Sequence, residues 1–94
     1  AALMDLFYQQ AEGALAQLDA LAKASDAAGW KATAHRLKGA AGNFGATRLY
    51  ALCKEAEAQA LTPGFDHHGI GQTIRQEYAA VKEFCAQQLT LPQA

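Results

Sequence analysis

Apolar residues in this chain recur at threes and fours through four successive stretches, and turn or capping residues separate each stretch from the next. That period gathers apolar side chains on one face of an α-helix and leaves the other face polar. Leu3, Leu6, Phe7, Ala11, Leu15 and Leu18 mark the inward stripe of a first helix over about 2–24. Ser25 and Asp26 interrupt it, and Asp26 suits the N-cap of a second helix over about 27–44. Gly45 fits the left-handed position that ends a helix. A third helix, about 46–61, turns Leu49, Leu52, Cys53, Ala56 and Ala60 inward and stops at Thr62-Pro63-Gly64. Phe65 to His68 is expected to be a loop. A fourth helix, about 70–89, turns Ile70, Ile74, Tyr78, Val81, Phe84, Cys85 and Leu89 inward.

Composition agrees with this pattern. Alanine is abundant, whereas there are one valine, two isoleucines and two prolines. Alanine leads the helix scale and β-branched residues lead the strand scale. Ninety-four residues make one domain, 1–94, with a small core. Short connections set sequential helices side by side and antiparallel, so the expected fold is all-α, an antiparallel up-down four-helix bundle.

Charge and hydropathy remove several function classes. The formal net charge is −1 and no basic stripe occurs, which argues against a nucleic-acid partner. No apolar run approaches the roughly 20 residues that span a bilayer, and the N-terminus lacks a signal-peptide layout. A soluble, cytoplasmic chain without direct membrane contact is expected, monomeric when isolated. Opening inside a helical pattern at Ala1, it fits a piece cut from something larger. Cys53 and Cys85 fall on apolar stripes, outside any CxxC pair, and fit reduced core thiols.

The second helix carries the chemistry. With His35 at zero and about 100° per residue, Trp30, Thr33, Leu37, Ala40, Ala41 and Phe44 fall between about 140° and 240°. His35 points away from that core stripe. Ala28, Lys31, Lys38, Gly39 and Gly42 fall within about 60° of it. A helix-interior glycine costs about 1 kcal/mol against alanine, and this face carries Gly39 and Gly42. A strip without side chains lets another protein's backbone approach next to His35. Lys38 lies one turn beyond His35, within reach of an anion bonded to the imidazole. An exposed imidazole is a fair nucleophile at neutral pH. Attack on phosphorus would leave a dianionic group on nitrogen, and an adjacent ammonium stabilises it.

Counting down an antiparallel third helix returns to the level of His35 near Ala56 and Glu57. Glu57 is a candidate acceptor for the imidazole Nδ1–H, which would leave Nε2 free to attack. Glu55 or Gln59 takes that place if the helix phase differs. A lone exposed histidine is ordinarily a solvated side chain; the glycine pair and Lys38 on the same face distinguish this one. Lys31 is read mainly as solvating charge, with a share in partner binding.

The segment Ala34-His35-Arg36-Leu37-Lys38-Gly39-Ala40-Ala41-Gly42-Asn43-Phe44-Gly45 resembles the signature of histidine phosphotransfer (HPt) domains. With Asp26 before it and Leu49, Leu52 and Cys53 after it, the similarity covers nearly the whole chain. The resemblance implies a four-helix bundle whose histidine, here His35, carries a phosphoryl group between receiver-domain aspartates. It places Lys38 at the charge-neutralising lysine, Gly39 at the following glycine, and Glu57 as candidate for the residue bonded to the imidazole. It implies receiver domains as partners and no cofactor in this chain, with Mg²⁺ in the receiver. It also fits either the end of a hybrid sensor kinase whose other parts are anchored in the inner membrane or a free-standing protein. Gly29 departs from expectation by weakening the first turn of the second helix.

No nucleotide-binding loop or kinase motif is present, so the chain alone is not expected to use ATP. Two alternatives stand beside the relay reading. One is the substrate domain of a chemotaxis-type histidine kinase. The other is a helical interaction or dimerisation module with an incidental histidine. A metal site from His67, His68 and His35 has little support, because the adjacent pair lacks i,i+4 spacing; no metal is expected.

Overall fold

The computed structural model describes residues 2–90, and side chains over 3–88. Among the described residues it is all-helical, with α1 (Ala2–Lys23), α2 (Ala27–Phe44), α3 (Thr47–Gln59) and α4 (His67–Thr90), and no strand. No helix among them is long and apolar enough to cross a membrane. Each helix packs on the next, and α4 returns to pack on α1.

Local chemistry explains the breaks. Asp26 caps α2 by accepting the Gly29 N–H at 2.9 Å. A Cβ on residue 29 would stand 2.6 Å from Asp26 Oδ2 and 2.9 Å from Leu21 Cδ2. Glycine there admits the capping carboxylate, so Gly29 serves the helix start. Gly45 takes φ 89° and donates to Ala41 and Gly42 carbonyls, while Ala46 N–H also reaches Ala41 O. This is the left-handed helix ending that glycine adopts without a Cβ penalty.

α4 begins at His67, three residues before the expected Ile70, so His67 and His68 are helical and not loop. Asp66 is the reason: its carboxylate accepts the Gly69 N–H at 2.9 Å, and its carbonyl accepts from Ile70. An acidic N-cap satisfies first-turn donors that apolar periodicity does not register.

The core combines Phe7, Leu15 and Leu18 of α1, Trp30 and Leu37 of α2, Leu49 and Cys53 of α3, and Ile74 and Tyr78 of α4. Phe7 stacks on Phe44 with centroids 4.3 Å apart, and Trp30 meets Phe65 and His67 edge-on at the other end. Cross-helix pairs include Phe7 with Phe44 and Gln17 with Arg36 between α1 and α2, Gly42 with Tyr50 between α2 and α3, and Leu15 with Arg75 between α1 and α4.

Three residues expected inward are not. Leu3 and Phe84 are each 61 % exposed, and Leu6 is 50 % exposed. Phe7 sits level with the last residue of α2, so the turn of α1 before it has no α2 alongside. Phe84 lies six residues past Tyr78, which meets Phe7; that is about 9 Å further along α4. The Leu89 side chain, also expected inward, lies outside the described side chains.

Candidate functional site

His35 stands midway along α2, its side chain 64 % exposed. The Trp30, Thr33, Leu37 and Ala41 side of the helix is buried, so the core holds α2 in the phase that turns His35 outward. On α3, Leu49, Cys53 and Ala56 are buried and Glu57 flanks them. This stripe aims Glu57 back at α2. His35 Nδ1 lies 2.9 Å from Glu57 Oε2. Lys38 Nζ lies 2.7 Å from Glu57 Oε1. One carboxylate therefore engages both the histidine and the lysine one turn beyond it.

The charges follow from this geometry. Lys38, bonded to Glu57, holds that carboxyl below the ordinary carboxylate range, and the His35 bond acts in the same direction. Glu57 raises the Lys38 ammonium in turn. A carboxylate ionised at neutral pH offers only acceptors, so Nδ1 supplies the proton in the His35–Glu57 bond. A neutral ring then carries its lone pair on Nε2, which has no protein partner among the described residues.

Glu55 and Gln59, the other two candidates for this contact, bond to each other at 2.7 Å on the outer side of α3. Lys31 is half-buried and lines a surface concavity of about 440 Å³ with Ala28, His35 and Glu57. Gly39 is open, with nothing within 4 Å of where its Cβ would be. Gly42 is different: a Cβ there would stand 3.2 Å from the Tyr50 ring, so the strip beside it carries an aromatic of the same chain. Lys38 is also less free than its helix phase implies, its side chain being only 22 % exposed and tied to Glu57.

His67 and His68 do not join His35. The His67 ring packs against Trp30 and Phe65, and its Nε2 donates to the Ala60 carbonyl at 2.7 Å. Among the described residues, no group of three or more His, Cys, Asp or Glu is placed to hold a metal ion. Cys53 is buried under Glu57, and burial pushes its thiol up to about 12, which keeps it protonated.

Sequence reasoning missed two residues beside the site. Tyr50 lies seven positions before Glu57, on the same face of α3; that spacing was the available signal. Arg36 bonds to Gln17 of α1 and closes the other flank of His35.

The family model described as "Hpt domain" matches residues 2–84. The match takes in α1 to α3 and most of α4, and with them His35, Lys38 and Glu57. No curated protein matches the chain, and no solved structure matches it either.

Proposed function

The chain belongs to the Hpt domain family, which serves histidine phosphotransfer in phosphorelays and interacts with receiver domains, and on that premise we propose that His35 is its phospho-accepting residue. The observation that carries this reading is the Nδ1–Glu57 contact at 2.9 Å on a histidine whose ring is otherwise open to solvent. Nucleophilic use of Nε2 requires the tautomer that this contact selects.

In the proposed step the Nε2 lone pair attacks the phosphorus of a receiver's aspartyl phosphate. The N–P bond forms as the P–O bond to the aspartyl carboxylate breaks, and that carboxylate leaves with the electron pair. His35 keeps its Nδ1 proton, so the phosphorylated ring is cationic, and Glu57 stabilises it across the existing hydrogen bond. Lys38 is ion-paired with Glu57 through an ammonium that carries three N–H donors, which lets it also donate to phosphoryl oxygens. Attack by a second receiver's aspartate reverses each bond change and discharges His35. The divalent cation belongs to the receiver in this scheme, and this chain contributes none of its ligands.

Lys31, Gly39 and Gly42 lie along the approach to His35 and form part of the receiver-docking face in this reading. An antiparallel up-down bundle is the arrangement supported by the pairs Phe7–Phe44 with Gln17–Arg36, and Tyr50–Gly42 with Glu57–His35. In each set, later residues of one helix meet earlier residues of its neighbour.

The test exposes the chain to phosphoramidate, and separately to a phosphorylated receiver, and maps the product by mass spectrometry. One acid-labile phosphate on His35 is expected, absent from His35→Gln. Phosphate on another residue would overturn the assignment.

A further inference from the structure

Tyr50 precedes Glu57 by seven positions, so both side chains leave α3 toward the face that carries His35. Its ring rests on Gly42, where an added Cβ would stand 3.2 Å from Cδ2 and 3.4 Å from Cε2. The residue is 37 % exposed, and its hydroxyl takes no hydrogen-bond partner among the described residues. With Gly42, Gly45 and Thr47 it walls a surface concavity of about 370 Å³.

Seven residues separate His35 from Gly42, about 10 Å along α2. A transient interface at the upper end of its class buries roughly 600 Å² on each side, a patch roughly 25 Å across. A receiver that brings an aspartyl phosphate onto Nε2 of His35 therefore covers ground that reaches Tyr50. A tyrosine offers rigid ring area at low conformational cost, with a polar tip for a partner's donor or acceptor. The seat on Gly42 holds the ring at a set height, which is the preorganisation that strengthens a contact.

We propose that Tyr50 is a docking residue for the receiver domain, packing against the partner's surface beside its phosphoaspartate and setting affinity rather than chemistry. This rests on the reading of His35 as acceptor. Tyr50 touches no reacting atom; its effect runs through the lifetime of the docked complex.

The experiment uses the whole chain and a purified receiver domain, charged with acetyl phosphate and selected because it labels the wild-type chain. In single-turnover transfer, with KM the half-saturating concentration of charged receiver and kcat the saturating transfer rate, Tyr50→Ala is expected to raise KM about tenfold or more, with kcat within about twofold of wild type. Tyr50→Gln, which keeps an aliphatic stem over Gly42, is expected to show the same rise. Tyr50→Phe keeps the ring and should stay within about threefold of the wild-type KM. An unchanged KM in Tyr50→Ala and Tyr50→Gln, or a loss carried by kcat, would overturn the proposal. Phosphoramidate is too small to need a docking surface, so its label on wild-type His35 reports the acceptor alone. Absence of that label overturns the acceptor reading and the role of Tyr50 with it. A label accompanied by an unchanged KM overturns Tyr50 alone.

Discussion

Glu57 holds Lys38 at 2.7 Å through Oε1 while its other oxygen engages His35, so the lysine is fastened to α3 and not free above the imidazole. The positive charge next to His35 is thus held in place by α3.

Glu57→Gln removes the negative charge that selects the Nδ1–H tautomer. The variant is expected to show a mixture of imidazole tautomers in nitrogen-15 NMR, where wild type shows predominantly Nδ1–H. Its labelling by phosphoramidate should slow by about tenfold, the value of one charge-assisted hydrogen bond. A single unchanged tautomer would remove the orienting role.

Lys38→Ala should slow phosphoryl transfer from a charged receiver by about 10- to 100-fold. Partial exposure keeps the effect at or below the low end for a buried oxyanion donor. Circular dichroism should stay unchanged, since no core contact is lost. Stopped-flow transfer at the wild-type rate would count against the charge role.

Acid should weaken the α2–α3 contact. Lys38, and then His35, lower the pKa of Glu57 in the fold, so its contribution to stability is fully present above the unfolded value, about 4.3. It is lost as pH falls through the depressed folded value. Urea melts should therefore show stability falling below about pH 4, with a shallower fall in Glu57→Gln. Equal acid slopes in the two proteins would contradict this linkage.

Two glycines separate helix propensity from close approach. Gly13 of α1 has nothing within 4 Å of where its Cβ would be, so Gly13→Ala should stabilise by about 0.5–1 kcal/mol. Gly29→Ala gains the same propensity but drives a methyl into Asp26 and Leu21, and should destabilise by about 1–3 kcal/mol. Thermal melts that moved in the same direction for both would refute the account of the α2 cap.

Much of the candidate site is legible in the chain because it is local to one helix. Trp30, Leu37 and Phe44 set the phase of α2, and that phase turns His35 outward whatever packs on the other side. Glu57 was reachable only as one of three residues, since choosing it over Glu55 or Gln59 needs the rotation of α3. For Tyr50 the chain offered only its seven-residue spacing from Glu57, which places it on the same face of α3; nothing within α3 says that its ring will rest on Gly42. The early start of α4 escaped because Asp66 is a polar signal outside the apolar period.

The sequence by itself determined four helices, the breaks at Asp26 and Gly45, and a histidine on a glycine-bearing face, because periodicity and capping act within a few residues. The tertiary structure alone decided that Glu57 bonds both His35 and Lys38, that Tyr50 covers Gly42, and that Leu3 and Phe84 remain exposed. Those outcomes depend on how far each helix slides and rotates against its neighbours. That register is set by the joint packing of Phe7, Trp30, Leu49 and Ile74 in one core, and no single helix encodes it.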